Sequence, residues 1–224
     1  INCALIPPSF YGQFDENIDI ENIYYGLRKM GFNLVVDVAL AAEAISQKTE
    51  KFLNKNKGSY ISSSCPVVVR LIKLLYPELL EQLIPIKSPV ELMAEKVKRT
   101  ITEKENCKKE DINIFFITPC PAKLSTVNNP LAQSESYLDG AIAVDKIYDK
   151  LIDILDDKNF NKDIEKNYNF ENEKPYLGIS WGQSGGEEEI LNKNNKNDTI
   201  SVSGIKNVKK ILEEISRNNI KGIK

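Results

Sequence analysis

An α/β fold of two lobes, with mostly parallel sheets flanked by helices, is what this sequence predicts, on three observations. Short apolar runs alternate with helical spacings along most of the chain, the signature of right-handed strand–helix–strand units. Two stretches, Ser59–Pro66 (SYISSSCP) and Ile112–Lys123 (INIFFITPCPAK), share one design: a β-branched and aromatic run that stops at a cysteine beside proline. Their repetition suggests lobes over 1–105 and 106–224 of a single domain. With 224 residues, 42% of them apolar, the chain can also bury a full core. Carboxyl ends of parallel strands are where such folds place chemistry, so the two cysteines are the first candidates for function.

The elements follow in order. Cys3–Pro7 reads as a strand stopped by Pro7-Pro8-Ser9, and Ile20–Met30 as a helix on Ile20, Ile23, Tyr24, Leu27 and Met30, with Gly31 as its C′ residue. Leu34–Val38 is the second strand and Ala39–Leu53 the second helix. Tyr60–Ser63 is the expected third strand, delivering Cys65 to a helix opened by Pro66 and carried by Val68, Leu71, Ile72 and Leu75. That position offers an anionic sulfur the free N–H groups of a helix N-terminus. Glu78–Leu83 is a short further turn, and Ser88-Pro89-Val90-Glu91 a capping box that opens a helix to about Thr102. Lys104–Asp111 is charged, with Cys107 a surface thiol, and Ile112–Thr118 is the fourth strand, presenting Cys120 and Lys123. After a polar loop come a short strand at Ala141–Val144 and a helix at Asp145–Leu155, then a charged surface excursion over 156–173. The glycine-rich turn Ser180–Gly186 opens a helix at Glu187, 192–198 is a polar loop, Ile200–Val202 a last strand, and Lys206–Ile215 a last helix.

Composition removes several function classes. Net charge is −2 and no basic cluster is interleaved with aromatics, which argues against nucleic acid as a partner. No apolar run approaches the roughly 20 residues needed to span a bilayer, and the expected setting is cytoplasmic. Four cysteines in such a setting argue against a disulfide framework, and the absence of histidine removes mixed Cys/His zinc sites and His-based triads. Iron–sulfur ligation, a nucleophilic role with another base, or plain burial remain for the thiols. The chain opens on Ile1 and directly on a strand, which points to a piece of a longer protein.

Ser62-Ser63-Ser64-Cys65-Pro66, followed by Tyr76-Pro77-Glu78 and Lys87-Ser88-Pro89, resembles the first cluster-binding segment of the iron-only hydrogenase large subunit, C-terminal domain. Thr118-Pro119-Cys120-Pro121-Ala122-Lys123 resembles its second, and Pro8-Ser9 and Ser184-Gly185-Gly186 are similar to weaker segments in the same order. The resemblance implies a [4Fe–4S] cubane joined through a cysteine to a two-iron subcluster bearing CO and cyanide, together called the H-cluster. It makes Cys65 and Cys120 two of the four cubane ligands, and Lys123 the cation facing a cyanide. Ser9 becomes a donor to a cyanide, Pro89 part of the cavity wall, and Ser184 a further cofactor contact. Protons and H2 are the implied reactants, with a ferredoxin-type electron donor or fused ferredoxin domain as partner.

This sequence departs from that pattern in two places. Ser64 stands where active members place a proton-relaying cysteine, and Gln47, Lys48 and Thr49 stand where acidic residues extend that relay. A third segment with the other two cysteine ligands is missing from the 224 residues, so the expectation is a chain that binds no complete cluster and is inactive alone. Two functions fit: a hydrogenase-type redox domain, catalytic or sensory, and a non-catalytic iron–sulfur protein of the same fold. Lys123 discriminates, because a cyanide-facing cation has no purpose without the two-iron unit. The plainer alternatives are buried strand-end cysteines, a surface lysine, ordinary turn serines at Ser9 and Ser184, a core Trp181 and a buried Cys3.

Overall fold

A computed structural model of the chain describes residues 1–128, 136–156, 177–194 and 199–217. Its organising layer is one parallel sheet of four strands in the order β2-β1-β3-β4: β1 (Asn2–Ile6), β2 (Leu34–Asp37), β3 (Asn113–Thr118) and β4 (Gly140–Ala143). The strands alternate strictly between two cores. Cys3, Leu5, Leu34, Val36, Ile114 and Phe116 face one, packed under Met93, Ala94, Val97 and Ile101 of helix α4 (Pro89–Glu105). Ala4, Ile6, Val35 and Ile117 face the other, with Ile23 and Leu27 of α1 (Ile20–Lys29) and Leu151 of the later helix Tyr148–Leu155. Burial on both faces is why these runs read as continuously apolar rather than alternating. Because β3 pairs with β1, the spans 1–105 and 106–224 share this sheet.

Helix ends follow local chemistry. Asp19 caps α1, accepting from the Glu21 N–H at 3.2 Å, and Gly31 follows the C-cap Met30 at φ +109°, where a side chain would be strained. The Asp37 carboxylate, at the end of β2, accepts from Ala39 N at 2.7 Å and so starts α2 (Ala39–Lys55). Cys65 is the N-cap of α3 (Pro66–Leu75), with Pro66 first inside it, as the sequence predicts. The remaining α-helices among the described residues are α5 (Pro121–Asn128), α6 (Tyr148–Leu155), α7 (Gly186–Asn194) and α8 (Ile205–Ser216).

Several expectations are corrected. Tyr60–Ser63 is not a strand: it makes one isolated parallel bridge, Ile61 to Leu83, closed by Ile61 N to Gln82 O (2.8 Å) and Ile84 N to Ile61 O (2.9 Å). Ile200–Val202 is irregular, with Ile200 exposed, and pairs with no strand among the described residues. The Ser88 capping box does not close, since the Glu91 carboxylate is committed to Ser136 Oγ (2.6 Å) and Tyr137 N (3.1 Å). Residues 144–146 form a separate 3-10 turn, so α6 starts at Tyr148 rather than Asp145. Cys107 is half-buried against the α4 core rather than a surface thiol. Residues 157–173 of the expected excursion and 195–198 of the expected 192–198 loop lie outside the described residues, and residues 192–194 are helical, continuing the helix that starts at Gly186.

Candidate functional site

The sheet order creates the site. From β1 the chain crosses to β2 on one side, and from β3 to β4 on the other, so the strand order switches between β1 and β3. Their register, Leu5 beside Phe116, brings both carboxyl ends out together, where open α/β sheets leave a crevice. The chain leaving β1 forms the turn Pro8–Gln13, which carries Ser9. The chain leaving β3 bends at Thr118, whose Oγ1 accepts from Cys120 N at 3.2 Å, and enters α5 with Cys120 accepting from Lys123 N and Leu124 N. Thus Ser9 and Cys120 lie on the two loops that flank the switch.

Cys65 reaches the region by another route. Its turn is held by side chains: Ser62 Oγ accepts from Ser64 N (3.3 Å), Ser63 Oγ donates to Ile86 O (3.0 Å), and Ser62 Oγ donates to Glu187. Helix α3, which Cys65 caps, touches α5, and Arg70 Nη1 donates to Ser125 Oγ at 2.8 Å across the contact. Each cysteine therefore stands at the N-terminus of one member of a helix pair. Cys65 is exposed, Cys120 half-buried and Cys3 buried within β1.

A cavity of about 410 Å³ opens beside them, lined by Ser63, Ser64, Pro66, Phe116, Lys123 and Leu138 among others. Lys123 makes no ion pair or side-chain hydrogen bond among the described residues, so its ammonium is available to an anion in that cavity. Pro89 is buried between Ser88 and Val90, both of which line the wall. Ser9 and Ser184 do not line it: Ser184 is exposed and shares a 2.5 Å hydrogen bond with Ser203. Among the described residues no group of three or more Cys, Asp or Glu converges as a metal site. Cys65 and Cys120, with no side-chain partner among the described residues, and the unpaired Lys123 beside a cavity that Lys73 and Lys87 also line nonetheless suit an anionic group that is bound through soft sulfur donors.

The glycine-rich segment Gly178–Gly182 packs on the Ser9 turn so closely that a Cβ at Gly182 would lie 2.9 Å from the Pro8 carbonyl carbon. Two polar ties fasten it to α2. Glu43 accepts from Leu177 N (2.6 Å) and Gly178 N (3.0 Å), and Trp181 Nε1 donates to Ser46 Oγ (3.0 Å). Trp181 is thus an anchor with a polar handle rather than plain packing. Sequence reading gave Glu187 no role beyond opening a helix. Burial raises its carboxyl above the ordinary range, opposed by hydrogen bonds from Ser62 and Ser64, and its one sequence signal is an acidic residue directly after a Gly-Gly helix start.

Comparison with known proteins bears on all of this. The family model described as iron only hydrogenase large subunit, C-terminal domain, matches residues 2–194. Iron hydrogenase 1 of Clostridium pasteurianum is 25% identical over 122 residues, covering 52% of this chain and 21% of that protein. A variant of the [FeFe]-hydrogenase HydA1 from Chlamydomonas reinhardtii superimposes with a TM-score of 0.56 at 21% identity, over 69% of this chain and 44% of that one. An [FeFe]-hydrogenase whose oxygen inactivation begins at the 2Fe subcluster of its H cluster gives 0.59 at 20% identity, over 69% and 44%. The two structures speak for the fold, and the chain spans about a fifth of the curated relative and less than half of the solved chains. No helix of the described residues is long and apolar enough to cross a membrane. Since the match runs from β1 into α7, across a parallel sheet that resembles the hydrogenase structures, the chain belongs to the family of iron-only hydrogenase large subunits, C-terminal domain.

Proposed function

We propose that this chain forms part of the wall of an H-cluster cavity in a hydrogenase-type redox protein, and that the intact protein interconverts H2 with protons and electrons. The observation that carries the reading is Lys123, unpartnered among the described residues, lining the same cavity as Ser64, with Cys65 between the lining residues Ser64 and Pro66 and Cys120 three residues before Lys123. When bound, the [4Fe–4S] cluster and two-iron subcluster supply the redox chemistry and the place where H2 is made or split.

The residues do the rest. Cys65 and Cys120 hold iron through sulfur, each at a helix N-terminus whose free N–H groups favour the anionic ligand. Lys123 would present N–H donors to an anionic diatomic, whereas Ser9, to which the resemblance gives a second one, sits on the turn after β1 outside the cavity lining. Pro89 is buried behind Ser88 and Val90, which with Phe116 and Leu138 shape part of the cavity wall. Ser64 stands at the cavity surface in a place to hand on a proton. Electrons come from a ferredoxin-type donor or a fused ferredoxin domain. Thiols with no disulfide among the described residues suit a reducing, cytoplasmic compartment.

Holding two of the four cubane ligands, the 224-residue chain is inactive by itself, since metal affinity falls steeply as ligands are lost. The test is anaerobic maturation of a chain that supplies the remaining cysteines, read by infrared bands of CO and cyanide and by gas chromatography of H2. Both signals are expected there, and no H2 from the 224-residue chain. Iron binding without CO or cyanide bands would replace this reading by that of a non-catalytic iron–sulfur protein.

A further inference from the structure

Glu187 lies in the first turn of α7 and reaches across to the cysteine turn. Ser62 Oγ sits 3.0 and 2.9 Å from its two carboxylate oxygens and 3.0 Å from Ser64 Oγ, and Ser64 lines the cavity. A carboxyl group, two hydroxyls and a cavity wall are therefore joined in unbroken hydrogen-bond contact. We propose that Glu187, Ser62 and Ser64 are a proton-exchange path between the solvent-facing side of α7 and the cavity, an inference that rests on reading the cavity as the site of H2 chemistry.

The proton bookkeeping closes without an oxidant or reductant. Glu187 gives its proton to Ser62 Oγ as Ser62 gives its own to Ser64 Oγ, and Ser64 gives its own to a basic atom held in the cavity. The carboxylate then takes a proton from water, so the net movement is one proton from solvent to cavity. A serine hydroxyl is too weak an acid to hold a charge near neutrality, which requires the transfers along the chain to be concerted. Glu187 suits the outer end. It is partly buried, and burial keeps its proton to higher pH than an ordinary carboxyl. The groups that face it are the Ser62 and Ser64 hydroxyls, and no charged side chain of α2, of Gly178–Gly182 or of α7 itself perturbs it among the described residues. Ser64 also hydrogen-bonds the Glu187 carboxyl, so the proton has a direct branch to Ser64 beside the one through Ser62.

Two measurements test the path. In infrared spectra of the 224-residue chain titrated with pH, a protonated-carboxyl C=O band is expected above the ordinary carboxylate range. It should be absent in Glu187→Gln, shifted in Ser62→Ala and in Ser64→Ala, and unchanged in Glu189→Gln, whose carboxylate is exposed. A band that survives Glu187→Gln, or that ignores Ser64→Ala, overturns the path. The second measurement uses a chain matured to show CO and cyanide bands. There Glu187→Gln should slow exchange of H2 with D2O on the order of 100-fold, the usual scale for a lost proton-transfer group, and shift its pH profile. Glu187→Asp should recover part of the rate, and the CO and cyanide bands should stay in place. Wild-type exchange in a loaded Glu187→Gln protein with unchanged circular dichroism refutes the path and leaves the hydrogenase reading intact. Failure of the bands to form in the wild type overturns that reading, and the catalytic use of the path with it, even where the carboxyl band behaves as expected.

Discussion

The two cysteine turns are nearly the same word in the sequence and two different objects in the structure. INIFFITPCP becomes β3, an interior strand paired on both edges, and its Phe116 is only 1% exposed. SYISSSCP becomes a loop that touches Leu83 through one bridge and is otherwise held by serine hydroxyls. Strand propensity is therefore permission rather than instruction: a run becomes a strand where neighbours supply its backbone partners. The Cys120 turn inherits the rigidity of the sheet. The Cys65 turn depends on Glu187, a residue more than a hundred positions away, and so on how the glycine-rich segment is seated.

The largest effect should separate the two turns by stability. Phe116→Ala is expected to cost about 3–5 kcal/mol in denaturant unfolding, because it opens a cavity beneath α4, whereas Ile61→Ala, on a half-buried loop, should cost no more than about 1 kcal/mol. Equal losses would erase the distinction.

A smaller effect should show the dependence on the distant segment. A Cβ at Gly178 would meet Ala39 O at 1.9 Å, so Gly178→Ala must push the Gly178–Gly182 segment off α2 at about 1–3 kcal/mol. Amide exchange should then quicken over residues 59–66 and stay unchanged over 113–118. Faster exchange in both would mean that the turns are not independently supported.

The pH dependence follows from Glu187. Its carboxyl is raised by burial, so the folded chain binds that proton more tightly than the unfolded chain, whose glutamate titrates near ~4.3. This contribution to stability is fully present below the unfolded value and is lost as pH rises through the folded one. Glu187→Gln should therefore gain melting temperature relative to the wild type over a window that opens near pH ~4.3 and extends upward. A constant difference across that window would contradict the assignment. The smallest contrast is in thiol labelling of the native chain, where Cys65 should react a few-fold faster than Cys120, and Cys3 only on unfolding.

The sheet was legible because β1, β2 and β3 are continuous apolar runs stopped by proline or a helix start, a pattern that depends on nearest neighbours alone. So was the placement of Cys65 and Cys120 at helix entrances, since Pro66 and Pro121 each mark a first helical residue. The ties of the glycine-rich segment were not legible. Glu43 to Gly178, Trp181 to Ser46 and Glu187 to Ser62 join positions more than a hundred residues apart, and each uses a polar side chain that looks like ordinary surface in one dimension. The same holds for Glu91, whose local capping role was outbid by Ser136 and Tyr137.

The central position of β1 has a consequence for how the chain comes off the ribosome. β1 can pair with β2 almost at once, through the short crossover of α1, but its other edge waits for β3, whose Asn113 meets an asparagine 111 positions earlier. At roughly 5–20 residues per second, the stretch of roughly 75 residues between β2 and β3 takes several seconds to synthesise. Throughout that interval Cys3, Ala4 and Leu5 present an apolar, unpaired strand edge, the kind of surface that recruits other chains. A nascent chain of this design therefore spends seconds as a client for chaperones before its own third strand arrives to close the gap.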